Sequence, residues 1–534
     1  MTGRRIYLYD TTLRDGAQTQ GIDFSVEDKR AIAEALDQLG LDYLEAGWPG
    51  ANPTDDRLFA EPPNLAQARM VAFGMTRRAG RSAANDPGLT AVLAAGAGTV
   101  CLVGKAWDFQ VEVALGADLR DNLAMIADSV AHARTRVDEV VFDAEHFFDG
   151  YKANPGYAVD CLRSALDAGA AWLVLCDTNG GTLPHEIEEV VTSLGASLPA
   201  ERLGIHCHDD TGNAVANSLA AVRAGACMVQ GTLNGLGERC GNANLVTLIP
   251  TLMLKMGYGT GITDAGLKQL TRVSRLLDER LNRAPDRQAP YVGESAFAHK
   301  GGLHAAAVAR DARAYEHIEP ERVGNRRHVV VSDQSGRANL VARFREIGLE
   351  VKPDHPGLVA LLETVKAREA MGYAYDGAEA SFELLARRAL EDVPHYFTLK
   401  RFRVMDERRY NAKGALVTES EATVTVGVGN ELRHEVAVGN GPVNALDTAL
   451  RKALAGFYGS LDAMRLVDYK VRILTPSDGT GAVTRVMIES GDGHGARWTT
   501  VGVSANIIDA SVDALFDGIT YKLMRDGAKV GAGA

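Results

Sequence analysis

Several classes of protein are excluded by what this sequence lacks. It has no apolar run of the roughly 20 residues that a membrane-spanning helix needs, and its nearest candidate, residues 91–103, is interrupted by glycines and a threonine. The first ten residues carry no long apolar segment, so we expect no secretory signal. Basic residues are outnumbered, and the net charge of -12 argues against a nucleic-acid-binding surface. We therefore expect neither a membrane nor a nucleic acid as a partner.

Cysteine is also scarce. The chain has six cysteines, all before residue 241, and no CxxC pair. Cys101, Cys176 and Cys227 lie in apolar, strand-like runs, where a free cysteine behaves as a small hydrophobic residue. This distribution favours reduced thiols over a disulfide framework and predicts a cytoplasmic location.

A repeated pattern of strand, loop, amphipathic helix and glycine runs through the first 260 of the 534 residues. Glycines end the helices at positions 40, 96, 169 and 225, and Ser25 with Asp28 forms a capping box before the first helix. Eight units of this kind predict an α/β fold, the (β/α)₈ TIM barrel, over residues 1–270. The predicted strands are 6–9, 43–46, 70–73, 99–103, 139–142, 172–176, 203–206 and 227–231.

Two further regions follow the predicted barrel. Residues 271–392 are mostly helical, irregular and charged, and we interpret them as a linker region. In residues 393–534, three strand-like runs precede a helix at 442–457, and three more precede a helix at 505–524. This repeat predicts an α+β domain of two βββα halves. The domain lacks an obvious catalytic cluster, which fits a regulatory or dimerisation role.

Polar residues collect where the barrel strands end. In a TIM barrel the active site lies at the C-terminal ends of the strands, called the rim below. The sequence places DTTLRDG (10–16), DAEH (143–146), CDTNGG (176–181), HCHDD (206–210) and NGLGERCGNAN (234–244) at five of these ends. Loop capping could explain any one of them, but five together predict that the rim holds an active site.

The histidine pair within the fourth of these motifs suggests a metal site. Residues two apart on a strand face the same way, so His206 and His208 direct both imidazoles to one point. Imidazole binds Zn²⁺, Mn²⁺ or Fe²⁺, and a nearby carboxylate completes a three-point site. With 13 histidines in the chain, an H-x-H triplet alone is a weak signal, and its position at the rim strengthens it.

At DTTLRDG, GIHCHDD (204–210) and NGLGERCGNAN the sequence resembles the family of 2-isopropylmalate, homocitrate and citramalate synthases. These are metal-dependent TIM-barrel enzymes that condense an acyl-CoA with a 2-oxo acid. The stretches 9–21, 143–155, 173–189 and 295–304 favour the citramalate-forming branch. The resemblance covers nearly the whole chain and implies acetyl-CoA and pyruvate as substrates.

The resemblance also implies roles for individual residues. Asp15, His206 and His208 match the family's metal ligands, and Asn242 matches a further contact; the ion is Mg²⁺, Mn²⁺ or Zn²⁺. Arg14 matches the arginine that faces the substrate oxygen, and Thr178 matches the threonine that contacts the carboxylate of the 2-oxo acid. The catalytic residues implied are Arg14, Glu145, His304 and Tyr315. In the family the last two come from the neighbouring subunit, which implies a homodimer.

Other functions remain open at this point. An isopropylmalate synthase needs a pocket for a branched oxo acid, and Trp48 could shorten that pocket or could simply pack in the barrel wall. Asp143 differs from the aromatic residue expected in some citramalate synthases. A metal-dependent acyl-CoA lyase would not need the linker and the repeat, and a non-catalytic amino-acid sensor would not need Arg14, Glu145 and His304. Isoleucine is the effector that the resemblance implies for the C-terminal repeat.

Overall fold

A computed structural model of the chain describes residues 2–299, 301–308, 310–329, 337–348, 350–352, 355–390, 393–410, 412–493 and 495–530. The described residues form two compact units. The first unit extends to Phe297 and also includes His317–Arg327, and the second contains Ala298–Glu316 and the chain from His328 onward. Within the described ranges, none of the helices combines the length and the apolar character that crossing a bilayer requires.

The first unit is a closed barrel of eight parallel strands, in which each strand pairs with its neighbours in sequence and the last pairs with the first. This confirms the predicted TIM barrel. The strands are β1 (Tyr7–Asp10), β2 (Tyr43–Gly47), β3 (Arg69–Met75), β4 (Thr99–Lys105), β5 (Glu139–Glu145), β6 (Trp172–Asp177), β7 (Leu203–Cys207) and β8 (Met228–Gly231). Each predicted strand overlaps an observed one, and the differences are confined to strand ends.

Helices follow the strands around the barrel. They are α1 (Val26–Leu39), α2 (Pro53–Ala60), α3 (Pro87–Leu93), α4 (Leu119–Arg134), α5 (Phe147–Ala153), α6 (Pro155–Asp167), α7 (Pro184–Gly195), α8 (Ala214–Ala224), α9 (Leu245–Pro250), α10 (Asp264–Leu267) and α11 (Leu270–Arg280). Ser25 and Asp28 form the expected capping box of α1. Gly40 ends the same helix with φ +107°, a left-handed conformation that glycine adopts without steric cost.

Two hydrophobic clusters hold the barrel together. The larger one lies between the strands and the helices, and the smaller one fills the interior with side chains such as Tyr43, Phe73, Val141 and Trp172. A filled interior is typical of this fold and leaves the rim as the place for ligands. All six cysteines are among the described residues and are unpaired thiols, five of them buried.

The second unit contains the linker helices and the C-terminal domain. The helices are α12 (Gly302–Val308), α13 (Arg337–Glu346), α14 (Gly357–Ala370) and α15 (Glu379–Leu390). Two three-stranded antiparallel sheets follow, each completed by a helix: β9 (Thr398–Tyr410), β10 (Leu416–Val428), β11 (Glu431–Gly439) and α16 (Pro442–Ala455), then β12 (Arg465–Ile473), β13 (Thr484–Gly491), β14 (Arg497–Ser504) and α17 (Ile507–Arg525). The two βββα halves are therefore confirmed.

Candidate active site

The turn after β1 brings Arg14 and Asp15 to the rim. Asp10 accepts hydrogen bonds from the backbone N–H and the hydroxyl of Thr12, and the carbonyl of Thr11 accepts from the N–H groups of Asp15 and Gly16. These bonds close a tight turn directly after the strand, and such a turn is needed for two adjacent residues to face the same side, because neighbours on a regular strand face opposite ways. Burial raises the pKa of Asp10 to about 7. Its carboxyl group holds the turn, so we assign Asp10 a structural part.

Asp15, His206 and His208 converge at one buried point. One ligand atom from each lies within 4.8 Å of the others. His206 Nε2 lies 3.3 Å from Asp15 Oδ2 and 3.4 Å from His208 Nε2. Strand β7 ends at Cys207, and His208 is aligned just beyond it by a bridge to Asn242. The structure thus brings together the three residues that sequence patterns and resemblance indicated.

Asn242 completes the surroundings of this cluster. Its Nδ2 donates to Asp15 Oδ2 at 2.7 Å, which orients the carboxylate. Its Oδ1 is buried and has no hydrogen-bond partner among the described residues, and the same holds for His208 Nδ1. A buried acceptor without a partner is costly unless a ligand satisfies it. One carboxylate and two imidazoles, with the Asn242 amide beside them, fit a divalent cation.

Electrostatics within the cluster also suit a cation. Burial alone would raise the pKa of Asp15, but Arg14 and then His206 lower it well below its usual range. Burial and then the charge of His206 lower the pKa of His208 to about 4. Burial opposes a charge on His206, but the hydrogen bond and the charge of Asp15 raise the pKa of His206. Asp15 is thus ionised and His208 neutral, as metal binding requires, and a bound cation would replace the proton that Asp15 attracts to His206.

Arg14 is held in place by a residue that sequence reasoning missed. Its Nε donates to Glu45 Oε1 at 2.6 Å, its guanidinium lies 3.9 Å from the ring centroid of Phe73, and Nη1 lies 3.6 Å from Asp15 Oδ1. Burial opposes the charge, but Glu45 and Asp15 raise the pKa of Arg14 above its usual value. The guanidinium therefore stays charged and fixed next to the cluster.

A polar network continues from the cluster into the barrel interior. Tyr9 donates its hydroxyl to Glu45 Oε2 at 2.5 Å, and Glu45, Cys101 and Asp143 form a second buried group. Burial and then Glu45 raise the pKa of Asp143 to about 6. Gln230 Nε2 donates to Asp143 Oδ1 at 3.0 Å, and Gln230 Oε1 lies 2.9 Å from His206 Nδ1. The interior is thus polar directly below the rim, where an ordinary barrel core would be apolar.

Glu145 and Thr178 lie at neighbouring positions of the rim. Glu145 Oε2 forms an ion pair with Lys105 Nζ at 2.5 Å, and Lys105 is another residue that the sequence patterns did not single out. The Thr178 hydroxyl accepts from the backbone N–H of His146 at 2.8 Å, while Arg239 donates to the Thr178 carbonyl and to Asp210. These contacts tie the loops after β5, β6, β7 and β8 to one another.

Backbone strain is concentrated in these loops. Of the five non-glycine residues with positive φ in the described part of the chain, three follow barrel strands: His146, Asn234 and Arg239. Such conformations cost about 1–3 kcal/mol each and cluster at ligand-binding and catalytic sites. The strain supports the assignment of the rim as the functional face.

Trp48 belongs to a loop that buried charges hold in position. The Asp55 carboxylate accepts from the backbone N–H of Trp48 at 2.8 Å and pairs with Lys29. A side chain at Gly47 would meet that carboxylate at 2.4–2.6 Å, so only glycine fits there. The Trp48 indole packs edge-on against Phe73, with ring centroids 5.3 Å apart. This contact agrees with wall packing and also places the indole next to the ring that contacts Arg14.

His304 and Tyr315 lie together in the second unit. Their rings stack with centroids 4.2 Å apart and planes at 30°, and both side chains are exposed, Tyr315 by 46%. The neighbouring His299 is buried instead and its Nε2 lies 3.1 Å from Glu316 Oε1. The environments of the two histidines therefore differ, with His299 enclosed and His304 accessible.

Three family models match the chain in succession. Residues 5–277 match the HMGL-like model, residues 291–369 the homocitrate synthase post-HMGL domain-like model, and residues 376–523 the LeuA allosteric (dimerisation) domain. Together they cover the barrel, the linker region and the C-terminal repeat.

Curated relatives align over almost the full length. The (R)-citramalate synthase of Aquifex aeolicus (strain VF5) is 50% identical over 524 residues, covering 98% of each chain. The (R)-citramalate synthase of Synechocystis sp. is 51% identical, covering 97% of this chain and 96% of the relative. A 2-isopropylmalate synthase of Methanocaldococcus jannaschii is 30% identical over 98% of this chain and 95% of its own. The chain is thus markedly more similar to these two citramalate synthases than to this 2-isopropylmalate synthase.

Proposed function

The chain belongs to the HMGL-like family and, within it, to the branch of the (R)-citramalate synthases, and from this we propose that it condenses acetyl-CoA with pyruvate to (R)-citramalate and CoA. Full-length identity of about one half to enzymes of that name supports the reaction. The observation that carries the proposal is the convergence of Asp15, His206 and His208 at the rim of the barrel. We place the reaction in isoleucine biosynthesis, because citramalate leads toward that amino acid in the family.

Asp15, His206 and His208 would hold a divalent metal ion, Mg²⁺, Mn²⁺ or Zn²⁺, with Asn242 Oδ1 as a further contact. When bound, such an ion acts as a Lewis acid on the carbonyl group of the 2-oxo acid. The hydrogen bond from Asn242 and the proximity of Arg14 keep Asp15 ionised and oriented for this task. The buried donor set supports the proposal on its own, apart from the similarity to relatives.

Arg14 and Thr178 would bind the 2-oxo acid. Negative charge develops on the carbonyl oxygen as the new carbon–carbon bond forms, and a fixed guanidinium stabilises that charge. Glu45 and Phe73 hold the Arg14 guanidinium before substrate arrives, so little reorganisation is needed. Thr178 is assigned to the substrate carboxylate by the resemblance, and its hydroxyl retains a donor hydrogen because it accepts from the His146 N–H.

Glu145, His304 and Tyr315 would supply proton transfer. A base removes one proton from the methyl group of acetyl-CoA, and the resulting carbanion attacks the pyruvate carbonyl carbon, whose oxygen then takes up a proton. Water hydrolyses the thioester of citramalyl-CoA and releases CoA. We assign the base to His304, with Tyr315 as its partner and Glu145 as the active-site carboxylate. The exposure of the stacked His304–Tyr315 pair is consistent with residues that serve a neighbouring subunit.

The protein would act as a homodimer of three-part chains, with a catalytic barrel (1–270), a linker region (271–392) and a regulatory domain (393–534). The match to the LeuA allosteric (dimerisation) domain supports both the dimer and the regulatory role. Within the second unit, β11 and β12 are edge strands of two separate sheets. They expose apolar side chains, among them Leu432, Val438, Val471 and Ile473, as surfaces that pair with a second copy would. Isoleucine is the proposed effector of this domain.

The proposal is tested by measuring CoA release from acetyl-CoA with pyruvate, 2-oxoisovalerate and 2-oxoglutarate in parallel, with and without a chelator. We expect release with pyruvate that is lost on chelation and restored by a divalent ion. Preference for 2-oxoisovalerate would assign the chain to isopropylmalate formation with the same residues. No release with any of the three acids would overturn the condensation reaction.

The regulatory assignment has a separate test. Isoleucine should inhibit the full-length protein, and a chain ending after residue 392 should lose that inhibition. Inhibition that persists in the truncated chain would contradict an effector site in the C-terminal domain.

A further inference from the structure

We propose that Asp143 is a positioning residue for the metal site, acting through the side-chain amide of Gln230 to keep the Nε2 lone pair of His206 available as a ligand. This inference rests on the proposed metal site and adds to it a buried element two hydrogen bonds away. Asp143 comes from β5, Gln230 from β8 and His206 from β7. Their side chains meet in the barrel interior below the rim.

Two consecutive hydrogen bonds connect the three side chains. Asp143 Oδ1 accepts from Gln230 Nε2 at 3.0 Å, and Gln230 Oε1 lies 2.9 Å from His206 Nδ1. Asp143, Gln230 and His206 are 3%, 0% and 5% exposed, so water cannot substitute for any of these partners. In such surroundings each donor has to face an acceptor.

Asp143 sets the donor and acceptor directions of these two hydrogen bonds. The amide nitrogen of glutamine only donates and the amide oxygen only accepts. With the nitrogen held by the carboxylate, the oxygen faces His206, and Nδ1 must carry the proton. Reversing the amide would set its oxygen against the carboxylate and its NH₂ against Nδ1. A neutral imidazole with its proton on Nδ1 has its lone pair on Nε2.

The lone pair on His206 Nε2 faces the other two proposed metal ligands. His206 Nε2 is the atom that lies 3.3 Å from Asp15 Oδ2 and 3.4 Å from His208 Nε2. His208 offers a contrast, because its Nδ1 has no hydrogen-bond partner among the described residues. Of the two histidines, therefore, His206 is the one whose tautomer the barrel interior selects.

Neighbouring side chains also fix the position of the Asp143 carboxylate. It lies with Glu45 and Cys101 in one buried group, and the thiol of Cys101 donates a hydrogen bond to it. The carboxylate is therefore oriented from two sides, by Cys101 and by Gln230. A rigid acceptor of this kind can hold an amide in one of its two orientations, whereas an apolar side chain cannot.

The inference is tested on the full-length protein, stripped of metal with a chelator, by following free Mn²⁺ through its electron paramagnetic resonance signal. Asp143→Leu should weaken Mn²⁺ binding by about 10–100-fold, the usual effect of losing a group that orients a metal-ligating histidine. Asp143→Asn keeps an oxygen for Gln230 and should stay within a few-fold of the unmodified protein. Val141→Ala, a loss of packing on the same strand and face, is the matched control and should leave Mn²⁺ affinity unchanged.

A double-mutant cycle checks that the two residues act as one unit. Gln230→Met preserves the length of the side chain and removes both hydrogen bonds, so it should weaken Mn²⁺ binding as much as Asp143→Leu does. Because the second substitution then removes nothing further, the double variant should bind Mn²⁺ as tightly as either single variant. If Asp143→Leu does not fold, Gln230→Met and Asp143→Asn carry the comparison without it.

The outcomes distinguish a failure of the proposed metal site from a failure of the proposed role of Asp143. Unmodified protein that binds no divalent ion would overturn the metal site and this inference together. Unmodified protein that binds Mn²⁺, with unchanged affinity in Asp143→Leu and Gln230→Met, would overturn the inference alone. Equal losses in Asp143→Asn and Asp143→Leu would also overturn it, because the charge and not the hydrogen-bond orientation would then matter.

Discussion

The proposed metal ligands and the proposed proton-transfer pair differ sharply in their surroundings. Asp15, His206 and His208 are buried in the first unit, and the side chains around them are bound by hydrogen bonds and ion pairs from several strands. His304 and Tyr315, in the second unit, are exposed and stack on one another. The metal ligands are held in position by side chains of their own unit. His304 and Tyr315 have the exposure expected of residues that act in the active site of a neighbouring subunit.

The difference follows from what each group has to do. A metal site needs several ligands in fixed positions, and side chains on buried strands are held in position more precisely than those on loops. A base that serves a neighbouring subunit has to project from its own surface, and burial then comes from the partner. The comparison predicts that substitutions in the first group affect metal binding and catalysis together, and that those in the second affect catalysis alone.

The largest effect is expected at His206. Replacing it with alanine removes a ligand and should lower kcat/KM for citramalate formation by at least about 10⁴-fold, because Lewis-acid assistance is lost. Mn²⁺ binding should fall in parallel. Activity that survives with Mn²⁺ binding abolished would show that the rim cluster is not the metal site of the reaction.

His304→Ala should lower kcat by about 1000-fold, a typical contribution of a general base, and should leave Mn²⁺ affinity unchanged. His185→Ala removes another exposed histidine, at the start of α7, and serves as the control with normal activity. A parallel loss of Mn²⁺ binding in His304→Ala would remove the distinction between the two groups.

Mixing subunits sharpens the same comparison. If His304 acts on the barrel of the partner, dimers formed from His206→Ala and His304→Ala chains contain one intact site, and a random mixture should recover about a quarter of the normal activity. If His304 acts within its own chain, every subunit in the mixture has a defect. The mixture would then stay inactive.

Arg14→Lys is expected to lower kcat/KM by about 100-fold, because lysine keeps the charge but not the fixed guanidinium geometry at the developing oxyanion. Mn²⁺ affinity should change by no more than a few-fold, since Arg14 is not a ligand. A normal kcat/KM in this variant would assign the oxyanion contact to another group.

The smallest expected effects are on the free energy of unfolding, and they are compared between variants of a buried and an exposed tyrosine. Tyr9→Phe removes a buried hydroxyl that donates to Glu45 and should lower the free energy of unfolding by about 1–3 kcal/mol. Tyr315→Phe alters an exposed side chain and should change it by less than about 0.5 kcal/mol. Urea unfolding of the two variants measures the difference, and equal losses would contradict the contrast in burial.

Much of this site is accessible from local sequence patterns. The motifs after β1, β5, β6, β7 and β8 predict rim residues, and the H-x-H spacing at the end of β7 indicates a metal site. These predictions succeed because strand period and strand order are local properties, and the fold then sends every strand end to the same rim. The roles of Arg14, Glu145, Thr178, His304 and Tyr315 come from resemblance and stay predictions.

Other residues of the site have no local signal strong enough to single them out. Glu45 contacts Arg14 across 31 positions of sequence, and Gln230 contacts Asp143 across 87. Each is a polar residue inside an otherwise apolar strand, which is unusual for a barrel core. That pattern could have marked Glu45 and Gln230 as candidates, but not their partners.

The amino-acid sequence by itself determined the eight strands, the glycine-ended helices, the βββα repeat and the positions of the rim motifs, because periodicity and backbone preference act over a few residues. Only the tertiary structure decided which side chains meet: Glu45 with Arg14, Lys105 with Glu145, and Asp143 with His206 through Gln230. Closing the barrel brings distant strands into contact and removes water from between them. Most buried polar groups are then satisfied by partners that are distant in sequence, and local patterns do not predict which residues these are.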